Sequence, residues 1–209
     1  MEVLRKQHIV INLDKRTDRL QQVTADLHQL GITDINRLSA VENKEHGLIG
    51  CTQSHINALK LAMKNGWDKV LIFEDDVEFR NPFTLMEKIE KYENHNWDVL
   101  MLGAEVLDGS LIKKDLIRVK KGYCLHGYIV RCDYYRRLIG NLEEGLVLKK
   151  RDPKNQDYNN DVYMNKIVKE DKWYCLANNL CNQRIGWSDN FGMIHDQQYR
   201  IANPRLDFK

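Results

Sequence analysis

Four consecutive apolar residues, Val70-Leu71-Ile72-Phe73, run directly into three acids, Glu74-Asp75-Asp76. The run that opens at Lys69 suits a central β-strand covered on both faces. Carboxylates at the end of such a strand stand where open α/β sheets place their ligands. The flanking sequence alternates in the same sense. His8-Ile9-Val10-Ile11-Asn12-Leu13 reads as a buried first strand, and Leu20, Val23, Leu27 and Leu30 share one helix face that Gly31 can end at its C′ position. Residues 35–40 form a second strand, and Thr52 caps a helix carrying Ile56, Leu59, Ala62 and Met63 that closes at Gly66. Strand, helix and strand in succession predict βαβ units, hence an α/β fold with a mainly parallel central sheet flanked by helices.

Further elements follow. Pro82 sits in the first turn of a helix through residue 92, and 97–103 and 123–130 read as strands. Asp133 caps a helix through Leu142; 160–168 is a helix and 173–177 a strand. Residues 149–156 and the stretch from Asn178 onward are polar and predicted to be mobile. With 209 residues and 3 prolines the chain suits one domain, 1–209, with a ligand-binding half over about 1–105 and a second half over 106–209.

Charge and composition exclude several classes. Thirty-two basic against 30 acidic residues give +2, too little for a general nucleic-acid field. No segment reaches the roughly 20 apolar residues of a membrane-spanning helix. The opening MEVLRKQHIVIN is too short and too charged for a signal peptide, so the chain as given reads as cytoplasmic; a chain trimmed from a secretory-pathway protein would look the same. Five cysteines without CxxC spacing fit buried thiols better than disulfides or a zinc site.

The triplet is the chemical centre of this reading. Three adjacent acids repel one another, and a divalent cation removes that repulsion. Carboxylate oxygens favour Mg²⁺ or Mn²⁺, with a chelated diphosphate completing the coordination. Continued extended geometry would turn Glu74 and Asp76 to one side and Asp75 to the other, as a DxD-like pair. The plainer alternative is that Asp75 or Asp76 caps a turn. Arg16 and Arg19, after the first strand, can reach a diphosphate.

Residues 47–80, GLIGCTQSHINALKLAMKNGWDKVLIFEDDVEFR, resemble glycosyltransferase family 25, the lipopolysaccharide and procollagen galactosyltransferase type. The resemblance rests on Ile49-Gly50-Cys51, Ser54-His55 and Glu74-Asp75-Asp76, with residues 11–19 similar to the family's INLxxRxxR opening. Looser marks are Trp97-Asp98, residues 123–130, Gln183 and Ser188-Asp189; Leu48 departs from an acid common in the family. The resemblance implies a single GT-A (Rossmann-like) domain, a UDP-sugar donor, Mn²⁺ (or Mg²⁺) dependence and inversion at the anomeric carbon. The donor would be UDP-galactose or UDP-glucose, and the acceptor a hydroxyl of a glycan, lipopolysaccharide or collagen-type hydroxylysine.

On that basis the donor site draws on Asn12, Arg16, Arg19, Ala40, Val41, Ser54, His55, Glu74 and Asp75, with Ala40 and Val41 beside the uridine and Ser54 and His55 in the first turn of their helix. Glu74, Asp76 and His195 are the candidate metal ligands, and His126 can line the site. Asp161 is the candidate base, with Asp157 and Asp189 behind it; its alternative role is a helix-start acid. A metal-dependent phosphohydrolase and a catalytically inactive sugar-transferase-like module are the competing readings. The first wants a second aspartate two residues after Asp14, and the chain has none.

Overall fold

A computed structural model describes residues 2–178, 180–189 and 192–196. The chain opens with a short helix α1 (Glu2–Lys6), then β1 (His8–Asn12), α2 (Thr17–Gln29), β2 (Arg37–Ser39), α3 (Gly47–Lys64) and β3 (Lys69–Glu74). Next come β4 (Val77–Phe79), α4 (Pro82–Tyr92), β5 (Val99–Met101), a hairpin of β6 (Glu105–Lys113) and β7 (Leu116–Tyr123), and β8 (Gly127–Arg131). The last part holds α5 (Tyr135–Arg151), two single-turn helices α6 (Asn160–Tyr163) and α7 (Asn165–Val168), then β9 (Trp173–Leu176), β10 (Cys181–Gln183), β11 (Gly186–Ser188) and β12 (Met193–His195).

Eight strands form one sheet in the order β2-β1-β3-β8-β5-β9-β7-β6. Strands β1, β2 and β3 pair in parallel, as do β5 and β9, while β8 and β7 run against the other strands. The α/β class with a mainly parallel sheet therefore stands. The reversed β8, inserted between β3 and β5, was not foreseen. Residues 123–130 are not one strand either: Tyr123 ends β7, Cys124 takes a positive φ of 76°, and Gly127 begins β8.

Alternate residues of each central strand face opposite cores. Ile9, Ile11, Val70 and Ile72 pack with Ile56 and Leu59 of α3 and Leu138 and Leu142 of α5. Val10, Leu71 and Phe73 pack on the other face with Leu4, Val23, Leu27, Leu85 and Ile89 of α1, α2 and α4. Two-sided burial is what an unbroken apolar strand demands.

Local signals behave as their chemistry requires. Gly31 and Gly66 follow α2 and α3 with φ of +73° and +66°, the left-handed region where glycine carries no Cβ penalty. Pro82 occupies the first helical position of α4, and the Asn81 side chain accepts the Thr84 N–H.

Three expectations are corrected. Helix α3 begins at Gly47, so Thr52 does not cap it; the Thr52 hydroxyl instead donates to the Leu48 carbonyl within the helix. Helix α5 continues through Arg151, past Leu142, and Lys149 is buried because its ammonium donates to the Asn155 carbonyl, 2.8 Å away. The predicted helix over 160–168 is divided at Met164. The polar stretch from Asn178 extends into 197–209, which lies outside the described residues.

Candidate active site

The carboxyl ends of β1, β2 and β3 open into a cavity of about 610 Å³ lined by residues that include Arg19, Ala40, Val41, Ser54, His55, Glu74, Asp75, Asp76, Asp161, Asp189 and His195. Most of the candidate residues thus come together on one wall system. Asn12, Arg16, His126 and Asp157 do not line it.

Of the Ile49-Gly50-Cys51 and Ser54-His55 block, Cys51, Ser54 and His55 line the cavity, and Gly50 sets how closely their helix approaches it. A Cβ on Gly50 would lie 2.1 Å from the Val41 carbonyl oxygen, so only glycine lets α3 approach the segment after β2 this closely. The buried Ser54 hydroxyl donates to the Gly50 carbonyl at 2.7 Å and accepts the Val41 N–H at 2.8 Å. Ser54 and His55 therefore sit in the middle of α3, not in its first turn, because the helix starts earlier than its polar residues suggest. Replacing Gly50 with Ala is expected to destabilise the fold by roughly 1–3 kcal/mol, the usual cost of overpacking. Chemical denaturation checks this.

His55 is completely buried. Its Nε2 lies 2.9 Å from Glu74 Oε1 and its Nδ1 2.8 Å from the Tyr128 hydroxyl. Burial pushes the Glu74 carboxyl up, but the His55 hydrogen bond and the charges of His55, His126 and Arg19 outweigh it and hold it below the usual range.

Strand β3 ends at Glu74 and the chain then turns, so strict alternation does not extend to Asp76. Glu74 engages His55, while Asp75 and Asp76 share one guanidinium: Arg19 Nη1 lies 2.8 Å from Asp75 Oδ1 and 3.2 Å from Asp76 Oδ2. Asp75 also accepts a 2.7 Å hydrogen bond from Asn12 Nδ2. Asn12 is buried, and its oxygen accepts from Arg37, so it anchors Asp75 from behind instead of meeting a ligand.

Asp76 is the least satisfied acid. Its Oδ1 is buried without a hydrogen-bond partner. Burial first, and then the charge of Glu74, push its carboxyl up to about 7. A buried carboxylate oxygen without a donor, next to a second carboxylate, matches the donor set of a hard divalent cation. Glu74 and Asp76 offer the oxygens such an ion takes, and His195 of β12 lines the same cavity, but among the described residues the three do not close into one set of ligand atoms within 4.8 Å.

The remaining candidates separate. Asp161, in the first turn of α6, accepts the Cys124 N–H at 3.2 Å; burial raises its carboxyl and outweighs that hydrogen bond. Asp189 faces the same cavity but is ion-paired to Arg16 at 2.6 Å and to Lys15 at 3.4 Å, and these cations hold it low despite partial burial. That pairing makes it a poor proton acceptor. It also removes Arg16 from a diphosphate role, since this guanidinium is divided between Asp18 and Asp189. Asp157 is exposed on a 3-10 turn. His126 is buried against the Cys181 carbonyl, 3.2 Å from its Nε2.

Sequence reasoning missed Tyr128, which fixes the His55 ring, and named Arg19 for a diphosphate without foreseeing that it joins the triplet to the β11–β12 hairpin by donating from Nη2 to the Trp187 carbonyl at 2.6 Å. Neither contact has a local signal, because each spans the fold.

Residues 45–126 match the family model described as "Glycosyltransferase family 25 (LPS biosynthesis protein)". The chain is 27% identical over 150 residues to "Inactive glycosyltransferase 25 family member 3" of Homo sapiens, an alignment covering 57% of this chain and 25% of the relative. It is 24% identical over 169 residues to "Procollagen galactosyltransferase 2" of Mus musculus, covering 63% and 27%. The chain thus spans about a quarter of the length of these relatives. Among solved structures it is similar to a glycosyltransferase involved in the glycosylation of the major capsid of PBCV-1, with 11% identity, a TM-score of 0.48, and coverage of 81% of this chain and 91% of that one. The matched segment includes Cys51, Ser54, His55, Glu74, Asp75 and Asp76 of the cavity lining, and through it and the curated relatives the chain is similar to glycosyltransferase family 25.

Proposed function

We propose that the chain is a metal-dependent, inverting hexosyltransferase that moves galactose or glucose from a UDP-sugar to a hydroxyl acceptor. The observation that carries this reading is the partnerless, buried Asp76 Oδ1 beside Glu74 on the wall of a cavity that also holds a separate, raised carboxyl, Asp161.

Glu74 and Asp76, with His195, would hold Mn²⁺ or Mg²⁺, which supplies Lewis acidity toward a departing diphosphate. The chain's own residues do the rest. His55 and Tyr128 fix the Glu74 carboxylate, and Asn12 fixes Asp75. Ala40 and Val41, held by Ser54, form the floor for the nucleoside. Asp161 takes the acceptor hydroxyl proton as the acceptor oxygen bonds to the anomeric carbon and the bond to UDP breaks, and a carboxyl raised by burial is the better base near neutral pH. The acceptor is a glycan or glycoprotein hydroxyl, read from the names of the curated relatives.

A catalytically inactive binding module is the second reading, favoured by the name of the human relative. Three crowded acids cost stability, and a module without a cation has no use for them. A phosphohydrolase finds no support in the geometry: Asp14, exposed, is taken up by Arg37 and Ser39 and does not line the cavity.

Calorimetric titration with UDP, UDP-galactose and UDP-glucose, each with Mn²⁺ and with EDTA, tests the reading. Binding that requires Mn²⁺ supports it, and the tighter sugar names the donor. Absence of binding to all three overturns it.

A further inference from the structure

The helix that carries Cys51 and His55 places them four residues apart, on one face of α3, directly against Glu74. Cys51 Sγ lies 3.9 Å from Glu74 Oε1, His55 Nε2 lies 2.9 Å from the same oxygen, and the three donor atoms all fall within 4.8 Å of one another. Zinc bonds of 2.3 Å to sulfur, 2.0–2.1 Å to nitrogen and 2.0–2.2 Å to oxygen at tetrahedral angles imply S···O and N···O separations of about 3.6 and 3.4 Å. The existing distances differ from these by about half an ångström or less. Thiolate, imidazole and carboxylate are the three ligand types zinc takes. The hard-cation pair Glu74 and Asp76, by contrast, offers oxygen alone.

The environment is that of a built site. His55 is completely buried, and its second nitrogen meets the Tyr128 hydroxyl at 2.8 Å, the outer contact that orients a metal-bound imidazole. A hydroxyl both donates and accepts, so Tyr128 serves His55 in either tautomer and frees Nε2 to act as a ligand. All three residues face the cavity, which leaves a fourth position open to water or ligand.

We propose that Cys51, His55 and Glu74 form a second cation site, selective for zinc-class ions, and that its occupation withdraws Glu74 from the Mn²⁺ site and so inhibits the enzyme. As the Sγ–cation bond forms, the thiol proton leaves to solvent. Ions that bond weakly to sulfur therefore gain little here, and Mn²⁺ and Mg²⁺ are left to Glu74 and Asp76. The inhibition rests on the hexosyltransferase reading; the site itself does not.

The test is titration of the full, metal-free chain with Co²⁺, followed by Zn²⁺. The expected result is a near-ultraviolet sulfur-to-cobalt charge-transfer band with visible bands of tetrahedral cobalt, both removed by one equivalent of Zn²⁺. Cys51→Ser, which keeps the side chain's size, should lose the charge-transfer band. Tyr128→Phe should keep the band but weaken Zn²⁺ binding about 10- to 100-fold. Cobalt binding without the charge-transfer band overturns the site, as does a band that survives in Cys51→Ser and so belongs to another thiol, such as the exposed Cys132. Mn²⁺-dependent UDP titration of the same preparations separates the two readings. A cobalt band without Mn²⁺-dependent UDP binding leaves the zinc-class site standing and removes the transferase assignment. Mn²⁺-dependent UDP binding that stoichiometric Zn²⁺ does not weaken overturns the competition.

Discussion

Asp76→Asn is expected to abolish Mn²⁺-dependent UDP binding while making the metal-free protein more stable. The second effect follows from the acid's position. Its carboxyl is pushed from about 3.8 to about 7 in the folded chain, by burial and by the Glu74 charge, with one oxygen left without a donor. A group whose folded pKa is raised contributes its full stability below the unfolded value and loses it as pH rises through the folded one. The metal-free wild type should therefore weaken between about pH 4 and pH 7, because ionising Asp76 opposes folding. At about 1.4 kcal/mol per unit, the shift corresponds to a cost on the order of 4 kcal/mol at alkaline pH. Arg19 offsets part of the charge through its contacts with Asp75 and Asp76.

The Asn variant lacks that titration. Its melting temperature should exceed that of the wild type at pH 8 and match it near pH 4, at roughly 2–4 °C per kcal/mol for a chain of this size. Mn²⁺ should raise the wild-type melting temperature and leave the variant's unchanged. Differential scanning calorimetry across pH, with and without Mn²⁺, checks all of this. Glu74→Ala should likewise lose metal-dependent UDP binding; unchanged binding in both variants removes the metal site. A variant more stable and inactive at once would show why the acids are crowded: they are held in readiness for a cation, at the expense of the fold.

How much of this was legible follows from what each signal depends on. The first three strands and their helices were readable because apolar runs and glycine stops are local, and β3 with Glu74-Asp75-Asp76 is the clearest case. The start of α3 was misplaced because His46, at its N-cap, makes no side-chain cap bond, and Gly50 marks a close approach to Val41 that only the fold reveals. Cys51 was visible in the sequence as a buried thiol and His55 as a donor-site candidate, and their i and i+4 spacing gained a shared meaning only when Glu74 came to lie against both. The β6–β7 hairpin was overlooked although Leu116, Ile117 and Val119 are buried while Lys120 and Lys121 are exposed. The three-residue strands β4, β10, β11 and β12 lie beyond sequence reading, since each exists only through its partner. Asp189 lines the cavity while Asn12 and Arg16 stand outside its lining, and the contacts of all three are ion pairs and hydrogen bonds between distant segments, which no local signal carries.

Asp161→Asn is expected to leave donor binding intact and to lower turnover by about 10² to 10⁴, the range for removing a general base. The substitution is conservative by geometry. The Asp161 Oδ2 accepts the Cys124 N–H, and the amide oxygen of Asn can accept the same bond, which matters because Cys124 holds a positive φ of 76°. What the variant loses is the capacity to take a proton. In the wild type that capacity exists only when the carboxyl is ionised, and burial raises its pKa. Activity should therefore fall on the acid side of an inflection lying above the ordinary aspartate range, and in the variant that limb should vanish into a uniformly low rate. A structural role would act differently: the melting temperature and the affinity for UDP with Mn²⁺ would drop together, with turnover following occupancy. Steady-state kinetics across pH, with calorimetric UDP binding on the same variant, separates the two. Full turnover in Asp161→Asn would transfer the base elsewhere. Asp189 could take it only by giving up its ion pairs with Arg16 and Lys15, which makes Asp161 the base that needs no rearrangement of the site.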